Sequence, residues 1–141
     1  MSGLAIHGVP ADQVESWWPV LVPYLEGFAE RSDGRVTTQS LVDDIRARAR
    51  QVWVAGGVDG VVMVALTRVG AEPSGDLSVY IDHCAGERSE EWREAYDEAI
   101  RQWAAAMGAR RIFSMARPGW SKWAKTRGYR ELHREMMLEV A

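Results

Sequence analysis

Helical periodicity governs the first third of the chain. Apolar residues between positions 14 and 28, and again between 41 and 49, recur with the spacing of one helix face. Asp12 can cap the first helix, and Thr37 or Thr38 can cap the second. Pro19 and Pro23 interrupt the first helix, which predicts a kink or two short helices in its place.

The middle of the chain changes to the pattern of strands. The runs "QVWVAG", "VVMVALTRV" and "DLSVYID" are rich in β-branched residues, and "GVDG" between the first two predicts a tight hairpin. Further strands are predicted for "GLAIHGV", for "RRIFSMA" and for the terminal "YRELHREMMLEV". Ser89 is the predicted cap of a long amphipathic helix that Gly108 ends, and "PGWSKWAKTR" predicts a short helix ended by Gly128.

The predicted order of elements is β-α-α-β-β-β-α-β-α-β, which places the chain in the α/β class. We expect a mixed central sheet flanked by helices, formed by residues 1–141 as one domain. With 47% hydrophobic residues, a chain of this length can bury a core of its own.

Composition and charge exclude several functional classes. The net charge of -3 argues against a nucleic-acid module, which normally presents a basic face. No run is apolar and long enough to span a bilayer, and the N-terminus lacks the features of a secretory signal. The single cysteine, Cys84, suits a reducing compartment. Seven tryptophans are the one unusual count, and such residues either fill cores or anchor interfaces.

The order of elements resembles the fold of the GCN5-related N-acetyltransferases. The central hairpin, the long helix after the third strand run and the closing "GY" strand carry this resemblance. More narrowly, "VWVA", "ARPGW" and "GYRELHREMMLEV" resemble small acetyltransferase-like proteins encoded by tailed bacteriophages. The resemblance implies two functional features, a loop that binds the pyrophosphate of acetyl-CoA and a general acid.

The pyrophosphate loop of the family has a Gln/Arg-x-x-Gly-x-Gly/Ala signature before the long helix. Small residues there let backbone N–H groups at the helix N-terminus approach the phosphates. This chain has "IDHCAGERSEEW" at that place, so Gly86 and Arg88 are its only candidates for cofactor binding. Carboxylates near the helix end would repel a pyrophosphate; they are Asp82, Glu87, Glu90 and Glu91. We therefore expect no cofactor.

The general acid of the family is often a tyrosine in the short helix before the "GY" strand. The resemblance aligns that position with Ala124, next to Trp123, and alanine cannot transfer a proton. A Cys–His nucleophile from Cys84 and His83 is disfavoured, because neighbours on a strand point to opposite faces. The three histidines have no metal-ligand spacing, so no metal is expected.

The tryptophans are the remaining candidates for a functional surface. Trp120 and Trp123 share one face of the short helix, where they either cover the sheet edge or form an exposed contact patch. Trp17 and Trp18 lie about 100° apart on their helix, so one of them is a candidate for an exposed contact.

Two hypotheses follow from these observations. The first is a non-catalytic acetyltransferase-like protein of a tailed phage, virion-associated or assembly-related, in the virion or the host cytoplasm. Its partners would be other phage structural proteins or a second copy of itself, with no nucleic acid and no membrane. The second is a divergent acetyl-CoA-dependent N-acetyltransferase of a small amine or protein amine. Asp82 would then be the catalytic base, provided that its pKa were raised, and Gly86 and Arg88 would hold acetyl-CoA.

Overall fold

The computed structural model describes residues 4–140, and a five-stranded mixed sheet runs through them. The strands are, in chain order, β1 (Ala5–Val9), β2 (Gln51–Gly57), β3 (Gly60–Ala71), β4 (Leu77–Gly86) and β5 (Ala109–Ser114). They lie side by side in this same order. Neighbouring strands are antiparallel from β1 to β4, while β4 and β5 are parallel. The predicted class, an α/β protein with a mixed central sheet, is confirmed.

Helices cover both faces of this sheet. They are a 3₁₀ helix (Ala11–Trp17), α1 (Trp18–Arg31), α2 (Thr38–Arg46), α3 (Ser89–Ala106) and α4 (Pro118–Thr126). The predicted interruption of the first helix is confirmed at Pro19, where a 3₁₀ helix leads into α1, but Pro23 lies inside α1 and does not end it. Thr37 caps α2 as predicted, in a reciprocal pair of hydrogen bonds with Ser40.

Two hydrophobic clusters lie on opposite faces of the sheet. One contains Leu21, Leu25, Phe28, Leu41, Val42 and Ile45 from α1 and α2, packed on Val52, Val54, Val64 and Leu66. The other contains Trp92, Tyr96, Ile100 and Ala104 from α3, packed on Trp53, Ala55, Met63, Ala65, Val79 and Ile81. Consecutive residues of β2 and β3 thus enter opposite clusters, which explains why these strands are continuous apolar runs in the sequence.

A bulge interrupts the pairing of β4 with β3. Leu66 pairs with His83 and Thr67 pairs with Ile81, so Asp82 is an extra residue in β4. The bulge shifts the alternation of side chains along β4. Asp82 and His83 both contact residues on the α1–α2 side of the sheet, whereas Cys84 adjoins Tyr96 of α3.

The predicted terminal strand is not formed, and this corrects the expected order of elements. Residues 130–140 have no strand pairing and are exposed throughout. A strand must pair with the edge of another strand, but contacts with the helices direct the chain away from the sheet as it leaves α4. The Tyr129 hydroxyl donates a hydrogen bond to Asp97 of α3 (3.1 Å), and Glu135 forms an ion pair with Arg35 between α1 and α2.

The predicted cap of α3 is also wrong. The helix begins at Ser89 itself, and the capping position belongs to Arg88, whose backbone lies in the left-handed region with a φ of 57°. The Arg88 side chain makes no capping hydrogen bond. The long helix starts directly after β4, leaving only Glu87 and Arg88 between the two elements.

Candidate functional site

Strands β4 and β5 separate at their carboxyl ends. Their pairing ends where Ile81 faces Ser114, and the last contact is a hydrogen bond from the Met115 N–H to the Ile81 carbonyl oxygen (3.1 Å). Beyond this point β4 continues from Asp82 to Gly86 with β3 as its partner. Ligands of open α/β sheets commonly bind at the carboxyl ends of strands, so this opening is the candidate site.

The wall of the opening on the α3 side is aromatic. Tyr96 is buried and adjoins Cys84 of β4, while its ring lies 5.8 Å from Trp92 and 6.4 Å from Trp120 of α4. Trp92 and Trp120 lie 5.9 Å apart, and the Trp92 indole N–H donates to the Glu87 carbonyl oxygen (2.6 Å). These three rings join α4 to the first turns of α3 beside the separated strands.

The pKa values of Cys84 and Tyr96 are both strongly raised. Burial raises the pKa of Cys84 to about 12, although part of the residue reaches solvent. Burial also raises the pKa of Tyr96 far above its usual range, and the neighbouring Cys84 adds to this effect. The Tyr96 hydroxyl is fully buried. Among the described residues it neither donates nor accepts a hydrogen bond of normal geometry. The Cys84 side chain is the hydrogen-bonding neighbour of this hydroxyl. A buried hydroxyl without a hydrogen bond of normal geometry is uncommon, and this one lies beside the opening.

Tyr96 is not recognisable as a site residue from the sequence. It lies on the apolar face of a helix, where a tyrosine is typically a core residue. Only its proximity to Cys84 distinguishes it, and that proximity depends on how α3 packs against β4.

The N-terminus of α3, where the resemblance places a pyrophosphate, is partly engaged by the protein's own groups. The Glu87 N–H donates to the Val62 carbonyl oxygen of β3 (2.8 Å), and the Glu91 N–H donates to the Arg88 carbonyl oxygen (2.9 Å). The Arg88 guanidinium pairs with the Glu91 carboxylate through Nε (2.5 Å) and Nη2 (2.8 Å). Glu90 adds another carboxylate to the first turn. The Arg88 guanidinium, the candidate for contact with a phosphate, is thus paired with a carboxylate.

Gly86 has a structural reason to be glycine. A Cβ atom at this position would lie 2.4 Å from the Val62 carbonyl oxygen and 2.8 Å from both Cα and Cβ of Met63. The end of β4 therefore presses against the backbone of β3 so closely that no side chain fits. This close approach accounts for the glycine without a ligand.

Asp82 is part of an ion-pair network within the sheet. Its Oδ2 atom accepts hydrogen bonds from Arg50 Nη1 (2.9 Å) and Arg68 Nε (2.6 Å), and its side chain is 16% exposed. Contrary to expectation, Asp82 therefore adds no charge to the end of α3. Two guanidinium groups bind the same oxygen, Oδ2, which gives the carboxylate a structural role in the sheet.

His83 and Cys84 do not converge, as the alternation along a strand predicted. The His83 ring stacks on Phe28 of α1 with a centroid distance of 5.0 Å. Burial lowers the pKa of His83, and the charge of Arg50 lowers it further. Cys84 lies on the opposite side of the sheet, against Tyr96, so the pair cannot act as nucleophile and base.

Ala124, at the position of the family's acid, is buried in α4. The nearest tyrosine in sequence, Tyr129, is bound to Asp97 rather than free at the opening. Asp97 is almost fully buried and also accepts hydrogen bonds from Arg101 (2.8 Å) and Arg127 (2.9 Å). Tyr129 is thus part of a cluster that fixes the end of α4 to α3.

The four tryptophans proposed as contact residues are all partly buried. Trp17 and Trp18 pack against the α1–α2 cluster, and Trp18 also lies under the Arg46 guanidinium at 5.2 Å. Trp120 packs against the α3 cluster. Trp123 lies 4.9 Å from Trp120 and has the Arg93 guanidinium 5.1 Å from its ring centroid. Their role in contacts with a partner remains a prediction.

Other kinds of site find little support in residues 4–140. A cavity of about 100 Å³ lies beside β1 and β2 on the α1–α2 face of the sheet, between Val9, Val14, Ile45 and Val52. The described residues contain no group of three or more His, Cys, Asp or Glu that could hold a metal ion. Among them, no helix is both long and apolar enough to cross a membrane.

Several solved structures with the same architecture are acetyltransferases. An aminoglycoside acetyltransferase from an uncultured soil metagenomic sample, solved with sisomicin, superposes with a TM-score of 0.72 at 14% identity, over 99% of this chain and 97% of that one. A predicted acetyltransferase from Clostridium acetobutylicum, solved with acetyl-CoA, has a TM-score of 0.72 at 10% identity, over 96% of both chains. An acetyltransferase from Trypanosoma brucei has a TM-score of 0.67 at 16% identity, over 97% of this chain and 99% of that one.

These structural similarities identify the fold of the protein. No protein-family model matches the chain, and neither does any curated protein. The protein therefore has the fold of the GCN5-related N-acetyltransferases, as its order of elements predicted, and identities this low extend to the fold alone.

Proposed function

We propose that this protein is a non-catalytic acetyltransferase-like protein that acts through protein–protein contacts. The observation that carries the proposal is the N-terminus of α3. An acyl-CoA pyrophosphate requires free backbone N–H groups and a favourable charge at this helix end. Here Glu87, Glu90 and Glu91 place negative charge at the helix end, and Arg88 is paired with Glu91. The Glu87 N–H is bonded to β3, whereas the N–H groups of Ser89 and Glu90 donate to no acceptor within residues 4–140, so the negative charge carries the proposal.

The other parts of the site support the same conclusion. Ala124 stands at the position of the family's proton donor and is buried. Asp82, the candidate base, is held by two arginines. Gly86, the candidate for phosphate contact, is required by its close approach to β3. Each residue that the resemblance would make functional thus has a structural role in this chain.

The narrower part of the proposal is a role in the assembly or the particle of a tailed phage. It rests on the resemblance of "ARPGW" and the C-terminal segment to small phage proteins. The partners would be other phage structural proteins or a second copy of the chain, in the virion or the host cytoplasm. Mass spectrometry of purified phage particles tests a virion location. Peptides of this chain at a fixed copy number per particle are expected, and their absence would contradict that location.

A second candidate function is a divergent acetyl-CoA-dependent N-acetyltransferase. The observation that favours it is the opening between β4 and β5, where the buried Tyr96 hydroxyl adjoins Cys84. In such a reaction the acetyl group passes from the CoA sulfur to an amine, the amine loses a proton, and the thiolate gains one. Tyr96 keeps its proton at neutral pH because its pKa is raised, so it could supply the proton that the thiolate takes up.

The two functions differ in a measurable way, because a ligand that binds only the folded state raises the melting temperature. Acetyl-CoA at 100 times its Kd would stabilise the protein by about 2.7 kcal/mol. For a chain of this size that is a shift of roughly 8 °C. We expect no shift, whereas the solved Clostridium acetobutylicum acetyltransferase serves as the positive control. A shift of several degrees would contradict the non-catalytic proposal.

A charge variant tests the reason for the expected absence of binding. Replacement of Glu87, Glu90 and Glu91 by Gln removes the negative charge at the α3 N-terminus and frees Arg88. If these carboxylates exclude the cofactor, this variant gains weak acetyl-CoA affinity that falls with added salt. The matched control replaces Glu94 and Glu98 by Gln, since both are exposed further along α3. Equal affinity of the two variants would show that charge is not what excludes the cofactor.

A further inference from the structure

Basic residues are concentrated in one part of the chain. Residues 99–130 contain eight of the 17 Lys and Arg side chains and none of the 20 Asp and Glu side chains. This part therefore carries a charge of +8, whereas the rest of the chain, with nine cations and 20 anions, carries -11. A solvated surface normally intersperses charges of both signs, because like charges repel one another and destabilise the folded chain. The net charge of -3 conceals this separation.

The fold brings these cations to the side of the molecule that β5 and α4 form. Strand β5 is the outermost strand of the sheet, and two arginines stand at its start. Two more arginines flank α4, one directly before the helix and one after it, and two lysines lie within it. We call the exposed members of this group the basic surface; they are Arg110, Arg111, Arg117, Lys122, Lys125 and Arg130.

Helix α4 turns its two lysines away from the core. Trp120 packs against the α3 cluster and so defines the inner face of the helix. Lys122 and Lys125 are three residues apart and both exposed, so they share the outer face. The Arg93 guanidinium of α3 lies 5.1 Å from the ring centroid of Trp123 and adds another cation next to this helix.

Most of the basic surface is not neutralised by the chain itself. Lys125 contacts Glu131 at 3.5 Å, and the charge of Arg111 lowers the pKa of Glu72. Within residues 4–140 the other four side chains form no ion pair and stack on no ring; they are Arg110, Arg117, Lys122 and Arg130. A surface of self-repelling, unpaired cations is the surface that an anionic partner would neutralise.

This surface suits an acidic protein segment better than a nucleic acid. Carboxylates border it, since Glu94 and Glu98 of α3 lie 3.8 Å and 3.5 Å from the Arg127 guanidinium. A nucleic-acid backbone carries a phosphate at every nucleotide and would meet these carboxylates as well as the cations. An acidic protein segment can place a polar or basic side chain opposite them. The charge of -11 on the rest of the chain also repels a long polyanion.

We propose that the basic surface binds an acidic segment of a partner protein, in which several Asp or Glu side chains point to one side. Ion pairs between those carboxylates and the unpaired cations hold the segment. Each exposed ion pair is weak, so recognition depends on the number of carboxylates that meet the surface together. Such a segment would belong to the partner in the protein–protein contacts proposed above, and the inference rests on that proposed function.

Fluorescence anisotropy with a labelled peptide of roughly ten glutamates, which spans roughly 33 Å when extended, tests the proposal on the full chain. We expect saturable binding that weakens as ionic strength rises from about 0.01 M to about 0.15 M, because the Debye length falls from about 30 Å to about 8 Å. The variant with Arg117→Gln and Lys122→Gln should bind at least about fivefold more weakly. The control with Arg35→Gln and Arg48→Gln loses the same charge from exposed positions next to α2 and should bind like the native chain.

Three results would overturn the proposal. They are no binding of the peptide, equal weakening by the two double substitutions, and tighter binding of a single-stranded oligonucleotide of the same charge. Thermal melting guards against a purely structural effect. The melting temperature of the variant with Arg117→Gln and Lys122→Gln should equal or exceed that of the native chain, because repulsion between cations is relieved. A fall of several degrees would mean that these cations serve the fold, and it would also overturn the proposal.

Addition of acetyl-CoA to the peptide complex separates this proposal from the proposed function. We expect the peptide to stay bound and acetyl-CoA to show no binding of its own. If acetyl-CoA bound while the peptide stayed in place, the non-catalytic function would fail and the basic surface would stand. Displacement of the peptide by acetyl-CoA would make the surface part of a cofactor site and would overturn both. Absence of binding by either ligand would overturn the basic surface alone.

Discussion

Replacement of Gly86 by alanine tests whether this glycine serves the sheet or a ligand. The residue ends β4 and faces Met63 of β3 in the strand register. An added Cβ would meet the Val62 carbonyl oxygen at 2.4 Å and the Met63 Cα atom at 2.8 Å. These are backbone atoms, so a side-chain rotation cannot relieve the contact, and the two strands must move apart.

The expected cost follows from overpacking. Forcing an extra methyl group into a packed region costs about 1–3 kcal/mol, and contacts with backbone atoms place Gly86→Ala at the upper end, near 3 kcal/mol. At roughly 3 °C per kcal/mol for a chain of this size, the melting temperature should fall by about 9 °C. The control is Gly119→Ala in the first turn of α4, where an added Cβ meets nothing within 4 Å. Since alanine is the better helix former, this control should be neutral or stabilised by up to about 1 kcal/mol.

Urea denaturation and thermal melting of both variants give the result. A destabilised Gly86→Ala beside an unaffected Gly119→Ala would support a structural role for Gly86. If Gly86→Ala were as stable as the native protein, the close approach of β4 to β3 would be refuted. Gly86 would then again be a candidate for contact with a phosphate.

Two further predictions concern buried charge. Asp97→Ala removes the carboxylate that binds Arg101, Arg127 and Tyr129. The free energy of unfolding, measured by urea denaturation, should fall by only about 2–3 kcal/mol, because the two arginines are partly exposed and become hydrated. A decrease below about 0.5 kcal/mol would contradict a stabilising role for this cluster. Burial lowers the pKa of His83, so its contribution to stability is complete above its usual pKa of about 6.5 and is lost as pH falls through the lowered value. His83→Gln should therefore flatten the decline of the urea midpoint as pH falls below about 6.5, and an unchanged pH profile would contradict this assignment.

Local elements of the fold were predictable because their causes lie close together in the sequence. Thr37 and Ser40 form their reciprocal cap within one turn, and the β2–β3 hairpin needs only its glycines and two intervening residues. The runs of β2 and β3 are apolar on both faces, which itself predicts a sheet covered on both sides. Fold class followed from the order of these elements.

The functions of individual residues depend on contacts that the sequence does not specify. Asp82 forms ion pairs with Arg50 and Arg68, which precede it by 32 and 14 positions. A β-bulge determines which side of the sheet its side chain faces. Gly86 is constrained by the register of β4 on β3. The C-terminal segment has the alternation of a strand, but pairing requires an edge that its own chain does not bring to it.

Direct titration of the purified protein with acetyl-CoA by isothermal calorimetry tests the central claim most directly. We predict no binding heat at protein and ligand concentrations that detect a Kd of about 1 mM or tighter, equivalent to about -4.1 kcal/mol. This result is expected because Arg88 is held by Glu91 and the Glu87 N–H is bonded to β3. Saturable binding with a Kd in the micromolar range would contradict the claim and would favour an acetyltransferase that uses the opening beside Tyr96.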